Sequence, residues 1–283
     1  MIMALSKELG ISIGALCDMF KVSRSSFYYK AQGFHLDEGL INTTKEIFVA
    51  SGESYGTRRI KVELSKKGYQ ISRRKTAKIM AHEGLVSTYT KPSYRPSQTD
   101  SVKTEHPNIV NREFDNRTER EVMVSDTTYV RIDGKWHYLC IMLDLCGRFL
   151  EGHATRASKG AELTREALWS IRGDLREIGI FHSDKGSEFL NKLIEKMLRA
   201  FDIKQSTSGK GNAYDNAVAE SMFKIIKTEF VKKRKFESLE QFNKEFAIWV
   251  HWYNNKRIHS SLDYMTPAEF REQKRGEKRE KCS

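Results

Sequence analysis

The segment at residues 122–154 is the part of the sequence that most restricts the fold. Apolar side chains alternate along its first nine residues, which predicts a strand with one face formed by Val122, Val124, Asp126, Thr128 and Val130. Asp133-Gly134 predicts a hairpin turn. The nearly continuous apolar run at 136–145 is typical of a strand in the middle of a sheet, and a third strand is predicted at 149–154. We therefore expect a sheet built on these three strands.

The rest of the second half alternates helices with short strands. The predicted order after the third strand is helix 160–175, strand 178–182, helix 187–201, strand 203–206, and a helix from Asp215 or Asn216 to Val231. This order predicts an α/β mixed sheet. Two more helices are expected, at 239–253 and after Thr266, where Thr266 and Glu269 form a capping box. Residues 274–281 alternate in charge sign and predict a frayed, solvated tail.

The N-terminal part is predicted to be helical. Residues 12–30 read as two short helices, the first capped by Ser12, and a helix-turn-helix and a plain helical hairpin both fit them. Residues 55–86 give a stronger pattern: a helix to Lys67, Gly68, then Ser72 capping a helix with Ala77 and Met80 inward. The outward face of that helix carries the basic residues Arg73, Arg74, Lys75 and Lys78. They fit the end of a recognition helix that contacts DNA, or a merely solvated basic face.

The distribution of charge points to a polyanionic partner. The 283 residues contain 49 Lys and Arg against 37 Asp and Glu, a net charge of +12. Residues 51–105 hold 12 basic and 5 acidic residues (net +7), and residues 221–283 hold 15 and 9 (net +6), whereas the middle is near neutral. Such an excess most often indicates nucleic acid. The four cysteines show no metal-binding spacing, and we expect reduced thiols.

Proline positions suggest where the domains divide. Residues 88–108 contain three of the four prolines and read as a linker. We predict a helical helix-turn-helix region at 1–90, a linker at 91–110, a catalytic core at 111–235 and a C-terminal helical extension at 236–283. No apolar run is long enough to cross a bilayer, and no secretory signal is recognisable at the N-terminus, so we expect a cytoplasmic protein.

Three acidic residues stand out by their context. Asp126 lies on the apolar face of a strand, Asp184 follows a buried strand, and Glu220 lies one turn inside a helix that follows a glycine-rich loop. A carboxylate on an apolar face is unfavourable unless it is paired or bound to a cation, and converging carboxylates are ligands that Mg²⁺ favours. Chance also produces such triples in a chain with 37 acids. Lys224 and Lys227 share the helical face of Glu220 and could hold a phosphate beside it.

Four segments carry a family resemblance. FHSDKGSEF at 181–189, TSGKGNAYDNAVAES at 207–221 and WYNNKRIHSSLDYMTPAEF at 252–270 resemble the signatures of bacterial insertion-sequence transposases, and YGTRRI at 55–60 resembles their N-terminal helix-turn-helix region. The match resembles the downstream-frame OrfB protein of two-frame insertion elements. It covers nearly the whole chain.

The resemblance implies a fold and a set of catalytic residues. The fold would be a ribonuclease H-like mixed five-stranded sheet with flanking helices, similar to retroviral integrase, preceded by the helix-turn-helix region and followed by C-terminal helices. Asp126, Asp184 and Glu220 match the family's DDE triad, which holds two Mg²⁺ or Mn²⁺ ions, and Lys227 matches a basic residue that contacts the element's end. The sequence departs from the commoner pattern at Gly209 and Asp263, neither of which belongs to the triad.

Other residues receive roles that remain open at this point. His182 fits a structural role or support of the catalytic acids better than a metal or phosphate contact. We interpret Asn212, Asp215 and Asn216 as caps or loop-shaping residues before the Glu220 helix, with DNA contact as the alternative. Lys256 and Arg257 are plausible phosphate contacts. Three further residues are expected to pack in the core: Trp252, Tyr253 and His259.

The sequence therefore predicts a DDE transposase that cleaves the ends of its own element and joins them to target DNA. Its expected partners are double-stranded DNA at the terminal repeats and at the target, further copies of the chain in a synaptic complex, and an upstream-frame protein or frameshift fusion. It would be bacterial, cytoplasmic and nucleoid-associated. Two other functions stay open. The chain could bind ends only as a regulator, or it could be a nuclease of the same fold that never joins DNA.

Overall fold

The structure is a computed structural model that describes residues 2–28, 37–90, 107–111, 113–115, 117–208 and 217–281, the side chains of 278, 280 and 281 excepted. The chain divides into two compact units, Met1–Ile41 and Asn42–Ser283, which we describe separately. Within the described residues, no helix combines the length and apolar character needed to span a bilayer.

The first unit is helical, as predicted. It contains α1 (Ile2–Leu9), α2 (Ile13–Met19), α3 (Arg24–Tyr28) and the start of α4 (Glu38–Ala50). The Ser12 hydroxyl accepts a hydrogen bond from the Ala15 amide at 3.2 Å, which confirms the predicted cap of α2. The buried side of α2 carries Leu16 and Cys17.

The second unit begins with the end of α4 and a helical pair, α5 (Thr57–Lys66) and α6 (Arg73–His82). Gly68 takes a positive φ of 89° directly after α5, and the Ser72 hydroxyl accepts from the Lys75 amide at 3.1 Å. Both features agree with the sequence. The prediction that Ala77 faces inward is wrong: it is exposed, and Thr76, Ile79 and Met80 form the buried face instead. These three share one side of the helix, and Ala77 lies beside that stripe.

The centre of the second unit is a five-stranded mixed sheet in the order β3-β2-β1-β4-β5. The strands are β1 (Val122–Ile132), β2 (Lys135–Asp144), β3 (Phe149–Arg156), β4 (Ile180–Ser183) and β5 (Lys204–Thr207). The first three pair antiparallel, whereas β4 pairs parallel with both β1 and β5. Asp133 and Gly134 both have positive φ, as a two-residue hairpin turn requires. The predicted fold class is confirmed.

Helices cover both faces of this sheet. They are α7 (Ala161–Trp169), α8 (Lys192–Ala200), α9 (Ala217–Glu229), α10 (Leu239–Asn255) and α11 (Pro267–Lys281). One face packs against α7 and α8 around Met123, Met142 and Phe181. The other face packs against α9 and α10 around Leu139, Ile141 and a set of stacked aromatic rings: Phe230, Phe242, Phe246 and Trp249.

Two predicted helices are shorter than expected. The helix predicted at 160–175 ends at Trp169, because Gly173 takes a φ of 96° and Leu175–Glu177 forms a separate 3-10 turn. The helix predicted from 187 begins at Lys192, because the Asn191 side chain caps it by accepting from the Ile194 amide at 3.0 Å. Apolar spacing alone does not reveal such breaks.

The tail predicted at 274–281 is helical and not frayed, whereas its predicted solvation agrees with the structure, since none of its described side chains is buried. The capping box of α11 forms as expected, with the Glu269 amide donating to the Thr266 hydroxyl and the Thr266 amide donating to the Glu269 carboxylate. The helix continues to Lys281 because two arginines hold it against the sheet. Buried Arg271 pairs with Asp144 and Glu151, and Arg275 pairs with Glu119 at 2.7 Å.

Candidate active site

The register of the sheet places Asp126 beside Asp184. Ser125 of β1 pairs with Ser183 of β4 in a parallel ladder. Asp126 is the next residue of β1, and Asp184 directly follows the last residue of β4. Neighbouring strands lie about 4.8 Å apart, so the two carboxylates leave the sheet at the same level. The Asp126 carboxylate accepts from the Thr127 amide at 2.7 Å, and that of Asp184 from the Gly186 amide at 2.9 Å.

Helix α9 brings the third acidic residue to this place. Its inner face, with Ala219, Met222 and Ile226, is buried against the sheet. Glu220 lies in the first turn on the exposed side, where the positive end of the helix dipole favours a carboxylate. Its negative charge acts on Asp126 and helps to raise the pKa of that residue. The negative charges of Asp184 and Glu220 therefore both act on Asp126.

The electrostatics of the site are those of crowded carboxylates. Burial and, next, the negative charge of Asp184 raise the pKa of Asp126 to about 7, with smaller contributions from Glu220 and Glu188. Burial also raises the pKa of Asp184 and of Glu220. The site therefore disfavours its own negative charge, and a bound cation would relieve this cost.

A fourth carboxylate, Glu188, is one that sequence reasoning missed. It is 1% exposed, and its Oε1 lies 2.8 Å from the Lys159 ammonium. Its Oε2 is buried without a hydrogen-bond partner among the described residues. Gly186 makes this inward position possible, since a Cβ there would lie 2.5 Å from that oxygen. The available signal was the spacing, because Glu188 follows Asp184 by four residues in the same motif. Nothing in the sequence around Lys159 indicated that it would pair with Glu188.

These residues fit a hard divalent cation. Carboxylate oxygens are the donors that Mg²⁺ and Mn²⁺ prefer, and the unpartnered Glu188 oxygen lies next to the repelling pair Asp126 and Asp184. In the described part of the chain, no three His, Cys, Asp or Glu side chains are already arranged closely enough to count as a metal cluster. The loop at 209–216, which precedes Glu220, lies outside the described residues, as do Asn212, Asp215 and Asn216.

The predicted DNA contacts on α6 and α9 differ in exposure. On α6, Arg73, Arg74 and Lys78 are exposed and Lys75 is half-buried. On α9, Lys224 is exposed. Lys227 is half-buried, and its Nζ lies 4.8 Å from the centre of the Tyr129 ring. Burial lowers the pKa of Lys227, and the negative charge of Asp126 opposes this.

The two C-terminal candidates differ more sharply. Lys256 is exposed just after α10, whereas Arg257 is 1% exposed and forms a buried ion pair with Glu229. Its Nε and Nη2 donate to both carboxylate oxygens, at 2.8 and 2.7 Å. The predicted phosphate contact at Arg257 is corrected accordingly, because its guanidinium is already engaged inside the protein. Arg257 is therefore not among the residues available to contact DNA.

The remaining singled-out residues lie in the packed interior or close to it. His182 is fully buried, with its Nδ1 2.9 Å from the Ser206 hydroxyl, which also accepts from the Ile109 amide. This agrees with a structural role. Tyr253 and His259 are buried edge to face at 5.0 Å, and Trp252 is half-buried against Trp249. Their expected packing role is therefore confirmed.

Family models match most of the chain. Two models described as "Integrase core domain" match residues 116–213 and 201–267, and a model described as "HTH-like domain" matches residues 35–93. The integrase models together include Asp126, Asp184 and Glu220. The third includes α5 and α6.

Curated relatives are described as transposases of insertion sequences. The chain is 28% identical to "Transposase for insertion sequence element IS904" of Lactococcus lactis, over 82% of this chain and 93% of the relative. It is 27% identical to "Putative transposase InsK for insertion sequence element IS150" of Escherichia coli, over 89% and 91%. Among solved structures, a chain of the simian T-cell lymphotropic virus intasome matches with a TM-score of 0.47 and 11% identity, over 81% of this chain and 74% of that one.

Proposed function

Because the chain belongs to the insertion-sequence transposases with an integrase-like core, we propose that Asp126, Asp184 and Glu220 catalyse both cleavage at the ends of its element and transfer of the freed strand. The observation that supports this proposal is the parallel register of β1 and β4 beside Asp126 and Asp184. In the described part of the chain, no basic side chain forms an ion pair with Asp126.

The three acids would hold two Mg²⁺ or Mn²⁺ ions. Bound there, such ions supply Lewis-acid activation of the attacking oxygen and stabilise the leaving oxygen in phosphodiester chemistry. Glu188 accepts from Lys159 through one oxygen, and its other oxygen is buried without a hydrogen-bond partner among the described residues. Its place is next to Asp184, so it would orient the ligands and add negative charge.

The reaction consists of two displacements at phosphorus. In the first, water attacks the phosphodiester at the element's end, the bond to the 3′ oxygen breaks, and that oxygen leaves as a 3′-OH. In the second, this 3′-OH attacks a target phosphodiester, which forms a new P–O bond and frees a target 3′-OH. One proton is transferred from the attacking to the leaving oxygen by way of solvent in each step. No covalent protein–DNA intermediate is needed.

The basic surfaces would position the DNA. Arg73, Arg74, Lys75 and Lys78 on α6 would contact the terminal repeat, and Lys224 and Lys227 on α9 would hold phosphates beside the carboxylates. Lys256 would contact flanking or target DNA. A synaptic complex of several copies would bring two ends together, with an upstream-frame protein or frameshift fusion as a further component.

The test uses labelled duplexes that carry the element's own ends, incubated with Mg²⁺ or Mn²⁺ and with the upstream-frame partner present or absent. Wild type is expected to cleave and join, and excess chelator should stop both. Asp126→Asn, Asp184→Asn and Glu220→Gln should each bind DNA normally but show only background cleavage. Asp202→Asn, at an exposed acid between α8 and β5 that has positive φ, is the matched control and should remain active, because Asn tolerates that conformation.

The alternatives give distinct outcomes. Binding of the ends without any joining, even with the partner, would support the regulator. Metal-dependent cleavage that never yields joined product would support a nuclease. Retained cleavage in one of the three carboxamide variants would remove that residue from the site.

A further inference from the structure

The β1–β2 hairpin exposes two large aromatic rings. Tyr129 is 53% exposed and Trp136 is 56% exposed. Their ring centres lie 5.1 Å apart and the planes are perpendicular. Exposed apolar rings of this size are unfavourable in water, and the sheet core does not need them, since Val130 and Ile132 of β1 already fill the buried face beside them.

Two basic side chains lie on these rings. The Lys227 ammonium is 4.8 Å from the centre of the Tyr129 ring, and the Arg131 guanidinium is 5.9 Å from that of Trp136. Lys135 at the start of β2 is also exposed. We call Tyr129, Arg131, Trp136 and Lys227 the aromatic–cation platform. It combines ring faces with positive charge, which is the combination that binds single-stranded nucleic acid.

The platform lies next to the carboxylates. Tyr129 follows Asp126 by three residues on β1, about 10 Å at the rise of a strand, so the two side chains leave opposite faces of the sheet. Lys227 links the two residues, because its ammonium contacts the Tyr129 ring and the negative charge of Asp126 acts on it. Lys227 follows Glu220 by seven residues on α9, about 10 Å at the rise of a helix. Strand β4 pairs with β1 only from Val122 to Ser125, so in the described part of the chain the β4 side of β1 is open beyond Asp126.

We propose that the aromatic–cation platform stacks unpaired bases of the DNA strand adjacent to the scissile phosphate, and so holds an opened DNA end at the active site. This inference rests on the proposed function and adds a binding subsite to it. A base stacks on a ring face or on the planar Arg131 guanidinium, while Lys227 contacts a phosphate.

The charge of the platform selects DNA over a second copy of the chain. Its described charged members are basic, and the +12 net charge of the protein makes a second copy an unfavourable neighbour for them. A polyanion supplies the complementary charge, and its bases supply the planar partners that the two rings lack. Fully paired DNA hides those base faces, so the platform favours an end whose terminal pairs have opened.

The experiment compares two fluorescent duplexes of the same sequence, one fully paired and one ending in unpaired thymidines, with binding measured in Ca²⁺ so that no strand is cut. We expect wild type to bind the unpaired end roughly 10-fold more tightly, within the range of base–aromatic stacking. Trp136→Ala and Tyr129→Ala should each remove most of this preference, and Trp136→Phe should restore it. Both side chains are exposed, and circular dichroism checks that the variants fold.

Trp169 provides the matched control. It is 60% exposed at the end of α7, where its ring meets Phe201 edge to face at 5.7 Å. Trp169→Ala removes an equally exposed indole and should leave the preference for unpaired ends unchanged. An equal loss in Trp169→Ala and Trp136→Ala would overturn the proposal, because it would indicate a general effect of removing surface tryptophans.

Two further outcomes would overturn the platform. In one, the Tyr129→Ala Trp136→Ala double variant keeps the full preference for unpaired ends. In the other, the variants change the sedimentation coefficient but not DNA binding, which would assign the surface to a second copy. Either result leaves the proposed function intact if wild type still cleaves and joins. Conversely, a wild type that prefers unpaired ends through Trp136 but never cleaves would refute the proposed function and not the platform.

Discussion

The two ends of helix α9 place acidic side chains in opposite electrostatic surroundings. At its N-terminal end Glu220 adds negative charge to Asp126 and Asp184, which already repel one another. At its C-terminal end Glu229 is buried, and Arg257 donates to both of its oxygens while the Tyr89 hydroxyl donates at 2.6 Å. One end leaves its negative charge uncompensated, whereas the other neutralises it completely.

The helix dipole explains part of this contrast. The N-terminus favours a carboxylate and the C-terminus disfavours one, so Glu229 needs a strong partner and Glu220 does not. Arg257 is followed by His259, whose pKa burial lowers to about 2, assisted by the positive charge of Arg257. The neutral imidazole can therefore accept from Arg257 Nη1 at 3.0 Å. The comparison teaches that uncompensated charge, not burial alone, distinguishes a candidate active site from a structural ion pair.

The largest expected effect on stability comes from removing the ion pair between Arg257 and Glu229 at the C-terminal end of α9. Arg257→Met leaves Glu229 buried without its cation, and the loss of one partner from a buried ion pair typically costs about 3–5 kcal/mol. We expect the free energy of unfolding, measured by urea denaturation, to fall by that amount. The double variant Arg257→Met Glu229→Leu should recover a large part of it. If the single and double variants lose the same stability, the ion pair is not the source of the effect.

Removing the charge of Asp126 should have the opposite effect and raise the free energy of unfolding. The pKa of Asp126 is raised above its unfolded value of 3.8 to about 7, so its ionisation destabilises the fold progressively from about pH 4 to above pH 7. Asp126→Asn should therefore be more stable than wild type at pH 8 in chelator, by an amount on the order of 4 kcal/mol. The difference should vanish near pH 4, where the carboxyl is neutral in both states. A constant difference across that pH range would contradict the assignment.

Asp144 is the control for that experiment. It is a strand aspartate too, fully buried where Asp126 is half-buried, and burial raises its pKa to about 6, but Arg271 and the amides of Arg120 and Cys146 donate to it. Because Arg271 offsets part of the cost of that charge, Asp144→Asn should gain less stability at pH 8 than Asp126→Asn gains. Equal stabilisation by both substitutions would show that the two sites do not differ in the way described.

The smallest expected effect on stability comes from the hydrogen bond between Tyr89 and Glu229. Tyr89→Phe removes one hydrogen bond to the Glu229 carboxylate, whose two oxygens keep their bonds to Arg257. We expect a loss of about 1 kcal/mol in the free energy of unfolding, at the lower end for a hydrogen bond to a charged group because Tyr89 is partly exposed. In the Arg257→Met background the same change should cost more, since Tyr89 is then the remaining side-chain donor to Glu229 among the described residues.

Local patterns in the sequence determined the elements that form the site. Alternation predicted β1 with Asp126 on the face that meets α9, the apolar run predicted β2, and Ser12, Ser72 and Thr266 predicted three helix starts correctly. These features depend on neighbours within a few residues, so they can be read along the chain. The ends of α7 and α8 were misjudged because Gly173 and the Asn191 side chain, rather than apolar spacing, decide where those helices stop and start.

The tertiary structure alone decided which charges meet. Lys256 and Arg257 are adjacent in sequence, yet one is exposed and the other is buried against Glu229, 28 residues away. Glu188 and Lys159 were likewise paired only by the fold. The sequence by itself determined that Asp126, Asp184 and Glu220 lie on a strand, after a strand and on a helix. Their convergence depends on the parallel register of β1 and β4 and on the packing of α9, because desolvation and repulsion between carboxylates arise only when distant segments are brought together.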